Sequence, residues 1–206
     1  MIKEELRILF VGNSITWHPV KQEIGWNHEW GMAASSEECD YLHLVMREIK
    51  GINPLSVYKI AWVVQWEQEY WIEANLEAHG DAAGFKPDVI IMKIGENVFQ
   101  KYNDEHPFHV YFRKLIDFLN PEDRASVIVA TSFWKAGVVD EAMRQVAAER
   151  NYPLVELGGF EDFDDMKAKG LFGHKGVENH PGDRGMEAIA NAILGPLKSL
   201  IREIGK

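Results

Sequence analysis

A chain of 206 residues, 46% of them hydrophobic, is long enough to bury one sizeable core, and we expect a single domain over residues 1–206. The net charge of −10 argues against a nucleic-acid partner, which needs a clustered basic surface. The lone Cys39 excludes an internal disulfide framework and a thiolate metal site. Residues 1–12 carry acids where a signal peptide is apolar. No apolar run approaches the length of a membrane span, which is about 20 residues. A cytoplasmic location and no membrane partner are therefore expected, with a removed leader as the open alternative.

Short apolar runs, rich in valine and isoleucine, predict β-strands along the chain. Because they alternate with amphipathic stretches of helical period, the sequence predicts βαβ units around a parallel sheet that is buried on both faces. The expected fold class is α/β, a three-layer α/β/α sandwich with a central parallel sheet of about five strands. Ligands bind beyond the carboxyl ends of the strands in such sheets. The runs are residues 6–11, 55–62, 88–94, 126–131 and 153–157.

The helical stretches between these runs carry boundary signals of their own. Ser35 and Glu38 form a possible capping box ahead of apolar positions that recur with helical spacing over residues 41–49. A second amphipathic helix is expected over residues 112–119.

The last helix is expected over residues 183–204, with Asp183 as its N-cap and an interruption and kink at Pro196. Two long irregular stretches, residues 16–34 and 160–179, also stand out. Loops of that length in a compact domain are usually functional, so both are expected near a site.

Polar residues follow several strands at the edge where ligands are expected. A serine hydroxyl is a poor nucleophile until a base takes its proton, and His180, on a loop, could act as that base for Ser14. The backbone N–H of Ser14 and the side-chain amide of Asn97 are suitable donors for an oxyanion. The segments concerned are Gly12-Asn13-Ser14, Gly95-Glu96-Asn97, Thr131-Ser132-Phe133-Trp134 and His180-Pro181.

These segments resemble the SGNH hydrolases, also called GDSL-like lipases and esterases. Residues 9–16, LFVGNSIT, are similar to the family's first block, residues 95–98, GENV, to its third, and residues 177–181, VENHP, to its fifth. The blocks occur in the family's order between residue 6 and about residue 195. The resemblance implies a flavodoxin-like SGNH hydrolase fold, with Ser14 as nucleophile, His180 as base and Asn97 as an oxyanion-hole donor.

The chain departs from the family pattern at three positions. Asn13 replaces the usual aspartate of the first block. Val177 occupies the position of the triad acid, so either Glu178 takes its place, another carboxylate reaches the histidine, or Ser14 and His180 work as a dyad. The glycine of the second block has no clear match, and Ala61 is the nearest candidate for its backbone N–H.

The expected function is hydrolysis of carboxyl esters through an acyl-enzyme on Ser14, with acetylated carbohydrates as the leading substrate class. Asn13, Ala61, Glu96 and Trp134 are the expected substrate-binding residues. The alternatives are a non-catalytic carbohydrate- or ligand-binding protein on the same scaffold and an acyltransferase. The sequence leaves the oligomeric state open. Tryptophans near the strand ends either stack on sugar rings or belong to the core: Trp17, Trp26, Trp30, Trp66 and Trp134.

No cofactor and no metal are expected. His106 and His109 have the i, i+3 spacing that places two imidazoles on one helix face, but nothing completes a ligand set. A nucleotide site after the first strand is also disfavoured, because Gly12 is not followed by the further glycines that a pyrophosphate needs.

Overall fold

The structure is a computed structural model that describes residues 5–98, 101–102 and 104–204. Residues 1–4 of the acidic N-terminal stretch lie outside the described residues. A five-stranded, fully parallel sheet lies at the centre, with strand order β2-β1-β3-β4-β5. The predicted α/β fold with about five parallel strands is confirmed. The strands are Arg7–Gly12 (β1), Val57–Trp62 (β2), Val89–Lys93 (β3), Ser126–Ala130 (β4) and Leu154–Val155 (β5).

Helices cover both faces of this sheet. They are Tyr41–Ile52 (α1), Val64–Gln68 (α2), Glu73–Glu77 (α3), Gly80–Ala83 (α4), Phe108–Leu119 (α5), Val138–Arg150 (α6), Lys175–Glu178 (α7) and Asp183–Ile204 (α8). Helices α1 and α8 pack together on one face, and α5 and α6 pack together on the other. No helix in the described ranges has the length and apolarity that crossing a membrane would require.

Alternation along the central strands builds two cores. In β1, Ile8 and Phe10 face the core shared with α1 and α8, whereas Leu9 and Val11 face the core shared with α5 and α6. Successive side chains of a strand point to opposite faces, so a strand covered on both sides must be apolar at almost every position. This is why β3 is buried at every residue, while the edge strand β2 is mostly half-buried.

The N-terminus of α1 differs from the prediction. Asp40 is the N-cap, and its carboxylate accepts a hydrogen bond from the His43 N–H at 2.8 Å. The predicted capping box at Ser35 and Glu38 is wrong, because Ser35 donates through its N–H (2.8 Å) and hydroxyl (2.6 Å) to Asp183. Asp183 is the first residue of α8, so the prediction that it is the N-cap is wrong. Its carboxylate instead ties α8 to the loop before α1.

Helix α8 continues through Pro196 without a break, so the predicted interruption is wrong. A proline inside a helix costs about 3 kcal/mol or more because one hydrogen bond is lost and the ring crowds the preceding turn. Ile193, Leu197 and Ile201 are buried on the face that packs against α1 and the sheet. Burial of such side chains is worth about 1.5–3 kcal/mol each, which is enough to hold the helix on both sides of the proline.

Candidate active site

The turn after β1 presents Ser14 at the carboxyl edge of the sheet. The N–H groups of Thr16 and Trp17 donate to the Asn13 carbonyl at 2.9 and 3.0 Å, and the Ser14 carbonyl accepts from Met32 at 2.8 Å. A Cβ atom on Gly12 would lie only 1.8 Å from the Thr16 hydroxyl, so the turn requires glycine at the end of the strand. These contacts hold the half-buried Ser14 in one position.

His180 lies between α7 and α8 and reaches Ser14. Its Nε2 atom is 2.9 Å from Ser14 Oγ, and its Nδ1 atom is 2.7 Å from the carbonyl oxygen of Gly176. A carbonyl only accepts, so Nδ1 carries the hydrogen and Nε2 is left as the acceptor that faces the serine. The structure thus brings the predicted nucleophile and the predicted base within hydrogen-bond distance.

Among the described residues, none places a carboxylate at His180 Nδ1, the usual place of a triad acid; the Gly176 carbonyl lies there instead. The carboxylate of Glu178 accepts from the Gly170 N–H at 3.2 Å, and Val177 is buried in an apolar cluster. Of the three possibilities left open by the sequence, the geometry matches the dyad, with the Gly176 carbonyl orienting the ring. The expectation that Glu178 replaces the acid is wrong, because its side chain is engaged elsewhere.

The absence of a carboxylate also changes the electrostatics of His180. Burial lowers the pKa of His180 to about 4, and the hydrogen bond to Gly176 opposes this shift only in part. The imidazole is therefore neutral at pH 7, which is the state that a general base requires.

Asn97 lies in the turn after β3 and lines the same cleft as Ser14 and His180. Its Nδ2 atom donates to Glu67 Oε2 at 2.7 Å. A side-chain amide has two hydrogens on Nδ2, so one remains for a ligand in the cleft. This placement suits the predicted role of Asn97 as an oxyanion donor.

Asn13 and Glu96 belong to the interior of the protein, so the expected substrate contacts of both residues are wrong. Asn13 is fully buried, and the Glu96 side chain is only 2% exposed. Asn13 Nδ2 donates to Glu96 Oε2 at 2.6 Å and to Glu67 Oε1 at 3.1 Å. Glu96 is also paired with the buried Lys93 and accepts from the Phe133 N–H at 2.8 Å.

This buried network explains why the first block carries asparagine. Burial would raise the pKa of Glu96, but the ion pair with Lys93 lowers it below its ordinary value, so Glu96 is charged. Burial and the nearby charge of Glu96 raise the pKa of Glu67. An aspartate at Asn13 would add a third buried carboxyl beside a single lysine, and an ionised carboxylate could not donate to the other two.

Ala61 does not supply a backbone donor to the site. It lies inside β2, paired in register with Val11. The N–H groups of Val57 and Val63 both donate to carbonyls of the β1 segment. Along a strand, the N–H groups of every second residue point to the same side. Ala61 lies an even number of residues from both valines, so its N–H also faces β1. Val64 begins α2 and lines the cleft, and amides in the first turn of a helix lack an intrahelical acceptor.

The two long irregular stretches form the walls of an open cleft of about 330 Å³. An apolar cluster joins them through Trp26, Met32, Ala33, Ala168 and Val177. The prediction that these loops lie near a site agrees with this placement. The cleft is lined by Ser14, His18, Lys21, Ile24, Met32, Val64, Gln68, Asn97, His174, Gly176, Val177 and His180.

The tryptophans divide between core and surface. Trp26 and Trp66 are buried, whereas Trp17, Trp30 and Trp134 are half-buried. Trp134 packs edge-on against the His180 ring, with ring centres 5.0 Å apart. Stacking of Trp134 on a substrate remains a prediction.

The His106 ring is held by aromatic neighbours. It stacks on Trp71 at 4.8 Å, and its Nδ1 atom lies 3.2 Å from the Tyr111 hydroxyl. Within the described ranges, no group of three or more histidine, cysteine, aspartate or glutamate side chains is arranged to hold a metal ion.

Some residues of the site were not identified from the sequence. Lys93 interrupts the apolar run of β3, and a lysine inside such a run is a signal for a buried charge pair. Glu67 follows β2 closely enough to be placed beside the site from the sequence, but its role was left open there, because its distance in sequence from Asn97 hides their contact. The Gly176 carbonyl has no signature in the sequence, because every residue carries a carbonyl group.

No protein-family model and no curated protein matches this sequence. Solved structures do match its fold. A two-domain esterase active on acetylated mannans, co-crystallised with mannopentaose, has a TM-score of 0.63 at 18% identity, over 96% of this chain and 50% of its own. An acetyl xylan esterase has a TM-score of 0.60 at 18% identity, over 93% and 100%. A member of the lipolytic G-D-S-L family from Veillonella parvula has a TM-score of 0.56 at 16% identity, over 92% and 97%.

This chain has the fold of the GDSL esterases and lipases. It spans about half the length of the two-domain mannan esterase and almost the full length of the other two proteins. The SGNH or GDSL fold that the sequence motifs imply is therefore confirmed. Within the GDSL fold, the facing Ser14 and His180 lie at the carboxyl edge of the sheet, where α/β proteins bind ligands.

Proposed function

We propose that this chain is a serine ester hydrolase that acts on acylated carbohydrates through an acyl-enzyme on Ser14. The observation that carries the proposal is the distance of 2.9 Å between Ser14 Oγ and His180 Nε2, in a cleft that Asn97 also lines. A nucleophile, a neutral base and an amide donor in one cleft are the groups that acyl transfer requires.

Acylation begins when Ser14 Oγ attacks the acyl carbon and His180 Nε2 takes the hydroxyl proton. The new C–O bond places a negative charge on the former carbonyl oxygen. The free hydrogen of Asn97 Nδ2 and the backbone N–H groups of Ser14 and Val64 are the proposed donors to this oxyanion. Collapse of the intermediate breaks the bond to the alcohol oxygen, and that oxygen takes the proton from His180.

Deacylation repeats these steps with water. His180 Nε2 removes a proton from the water as its oxygen attacks the acyl-enzyme, and the proton then passes to Ser14 Oγ as the serine leaves. The Gly176 carbonyl keeps the ring in the same orientation throughout, because its bond to Nδ1 is present whether His180 is neutral or protonated.

The cleft favours a polar substrate. Polar side chains from both long loops and from α2 line it, among them His18, Lys21 and Gln68. A long acyl chain would need an extended apolar surface, whereas sugar hydroxyls need hydrogen-bonding groups of this kind. The folds of the mannan and xylan esterases described above support the same substrate class.

The test is the intact mass of the protein after exposure to a fluorophosphonate probe, together with release of acetate from acetylated xylan and mannan oligosaccharides. Wild type is expected to gain one adduct and to release acetate. Ser14→Ala and His180→Ala are expected to lose the adduct and about 10⁶-fold in kcat, because serine and histidine act as one unit. A folded wild type that gains no adduct and releases no acetate would instead support a non-catalytic binding protein.

A further inference from the structure

We propose that Glu67 is a positioning residue for the oxyanion hole, so that turnover depends on a buried carboxylate that never touches the substrate. Glu67 is fully buried in α2, behind the cleft. The inference rests on the function proposed above, because it concerns the donor that stabilises the oxyanion.

Glu67 accepts three hydrogen bonds from the ends of two strands. Its Oε2 atom accepts from Asn97 Nδ2 at 2.7 Å, and its Oε1 atom accepts from the Gly95 N–H at 2.5 Å and from Asn13 Nδ2 at 3.1 Å. The donors come from the turn after β1 and the turn after β3. One carboxylate therefore sets the positions of the nucleophile turn and the oxyanion turn relative to each other.

The contact with Asn97 determines which way its amide faces. In its ionised form Glu67 has no hydrogen to donate, so Asn97 must then present Nδ2 to Glu67 and not Oδ1. Burial and the charge of Glu96 raise the pKa of Glu67 to about 7, so this form dominates above pH 7. One Nδ2 hydrogen is then used, and the planarity of the amide fixes the direction of the other. Without Glu67 the amide could rotate and place its oxygen, which would repel an oxyanion, toward the cleft.

The contact with Gly95 holds the turn that carries Asn97. Gly95 has a φ of 120°, a backbone conformation that side chains rarely adopt. A Cβ atom there would lie 2.4 Å from the Ser132 hydroxyl. The bond to Glu67 satisfies the N–H of this unusual residue and so supports the turn two residues before the oxyanion donor.

Glu67→Gln is the most informative variant, because it preserves the size of the side chain and replaces one accepting oxygen by a donor. Its NH₂ group must face either Asn97 Nδ2 or the donors of Gly95 and Asn13, which places donor against donor. At least one of the three contacts is lost. Asn97→Ala removes the proposed oxyanion donor while leaving Glu67 in place.

The experiment measures kcat and KM for wild type, Glu67→Gln, Asn97→Ala and the double variant, with p-nitrophenyl acetate and acetylated xylo-oligosaccharides. Rates are divided by the amount of Ser14 that reacts with the fluorophosphonate, so that only folded sites count. Glu67→Gln is expected to lower kcat about 10- to 100-fold with KM nearly unchanged, the range that loss of an outer hydrogen-bond partner costs at metal sites. In the Asn97→Ala background it should cost little more, since both changes remove the same interaction.

Asp140→Asn is the matched control. Asp140 is also a buried carboxylate, and it accepts from the N–H groups of Ser132 at 2.9 Å and Ala136 at 2.8 Å. It contacts neither Ser14 nor Asn97, so the variant is expected to lose stability but to retain kcat per reactive serine.

Either of two results overturns the role of Glu67 while leaving the proposed function intact. One is an unchanged kcat in Glu67→Gln, and the other is an equal fractional loss of kcat in the wild-type and Asn97→Ala backgrounds. Both would be seen against an active wild type. A wild type that neither reacts with the probe nor hydrolyses any ester overturns the proposed function, and this inference with it.

Discussion

Two half-buried histidines in this chain show how the hydrogen-bond partner of an imidazole affects its pKa. His43 Nδ1 lies 2.9 Å from the carboxylate oxygen of Asp40, and His180 Nδ1 lies 2.7 Å from the carbonyl oxygen of Gly176. Burial acts to lower the pKa of both rings. At His43 the hydrogen bond and charge of Asp40 outweigh burial and raise the pKa, whereas at His180 burial prevails and the pKa falls to about 4.

The comparison separates two effects of a histidine's partner, orientation of the ring and stabilisation of its positive charge. A carbonyl fixes the tautomer and direction of the His180 ring as a carboxylate would, but it adds no full negative charge to stabilise the imidazolium. In the proposed acylation, the His180 imidazolium would consequently be a strong acid toward the departing alcohol. Loss of the acid at Val177 therefore need not remove the geometry that Ser14 requires.

The largest expected effect is the difference between the pKa values of the two histidines in a titration. Ring signals followed by NMR from pH 3 to pH 9 should give His180 a pKa of about 4, and His43 a pKa above its ordinary value of 6.5. His180 is then neutral above about pH 4 and stays available as a base in mildly acidic solution. A pKa near or above 6.5 for His180 would contradict the assignment of the carbonyl as its partner.

The same shifts give opposite linkage to folding. His180 has a folded pKa below its ordinary value, so its contribution to stability is present above pH 6.5 and is lost as the pH falls through about 4. His43 has a raised folded pKa, so its contribution is present below 6.5 and is lost as the pH rises through that raised value.

A smaller effect is expected when the charged partner is removed. Asp40→Asn keeps an oxygen for the N-cap of α1 but removes the charge beside His43, so the pKa of His43 should fall. The fall is limited, because Glu37 lies 3.4 Å from His43 Nε2. His180 in the same spectra is the internal control and should not move. An unchanged His43 would show that Asp40 does not govern its charge.

The smallest effect is expected from Glu178→Gln. Its carboxylate contacts the Gly170 N–H and not His180, so kcat/KM and the pKa of His180 should match wild type. Replacing a true triad acid by its amide can cost about 10⁴-fold in kcat. A loss approaching that figure would show that Glu178 reaches the histidine during turnover.

The fold could be predicted from the sequence because its signals are local. Each central strand is an apolar run buried on two faces. Four of the five predicted runs contain the observed strand, and the first run, residues 6–11, ends one residue before β1 does. The residues brought together at the site, Ser14, Asn97 and His180, could also be selected, since each follows or faces a strand end with a side chain suited to one step of acyl transfer. Their catalytic roles stay predictions until the variants are measured.

Errors arose where a contact depends on distant chain segments. Ser35 fits a capping box, but Asp183, 148 positions away, takes its hydrogen bonds. Asn13 and Glu96 follow strand ends as site residues do, but Glu67 and Lys93 draw their side chains into the interior. Pro196 breaks most helices, but the packing of α8 against α1 and the sheet holds the helix together.

The sequence by itself determined the parallel sheet, its two-sided core and the candidate reactive side chains, because apolar periodicity and side-chain chemistry belong to each residue and its near neighbours. Only the tertiary structure decided which group orients His180, which residues point into the cleft and which carboxylate holds Asn97. Those choices depend on hydrogen bonds between segments that are far apart in the chain. One of them uses a backbone carbonyl, a group that every residue carries and no sequence pattern can distinguish.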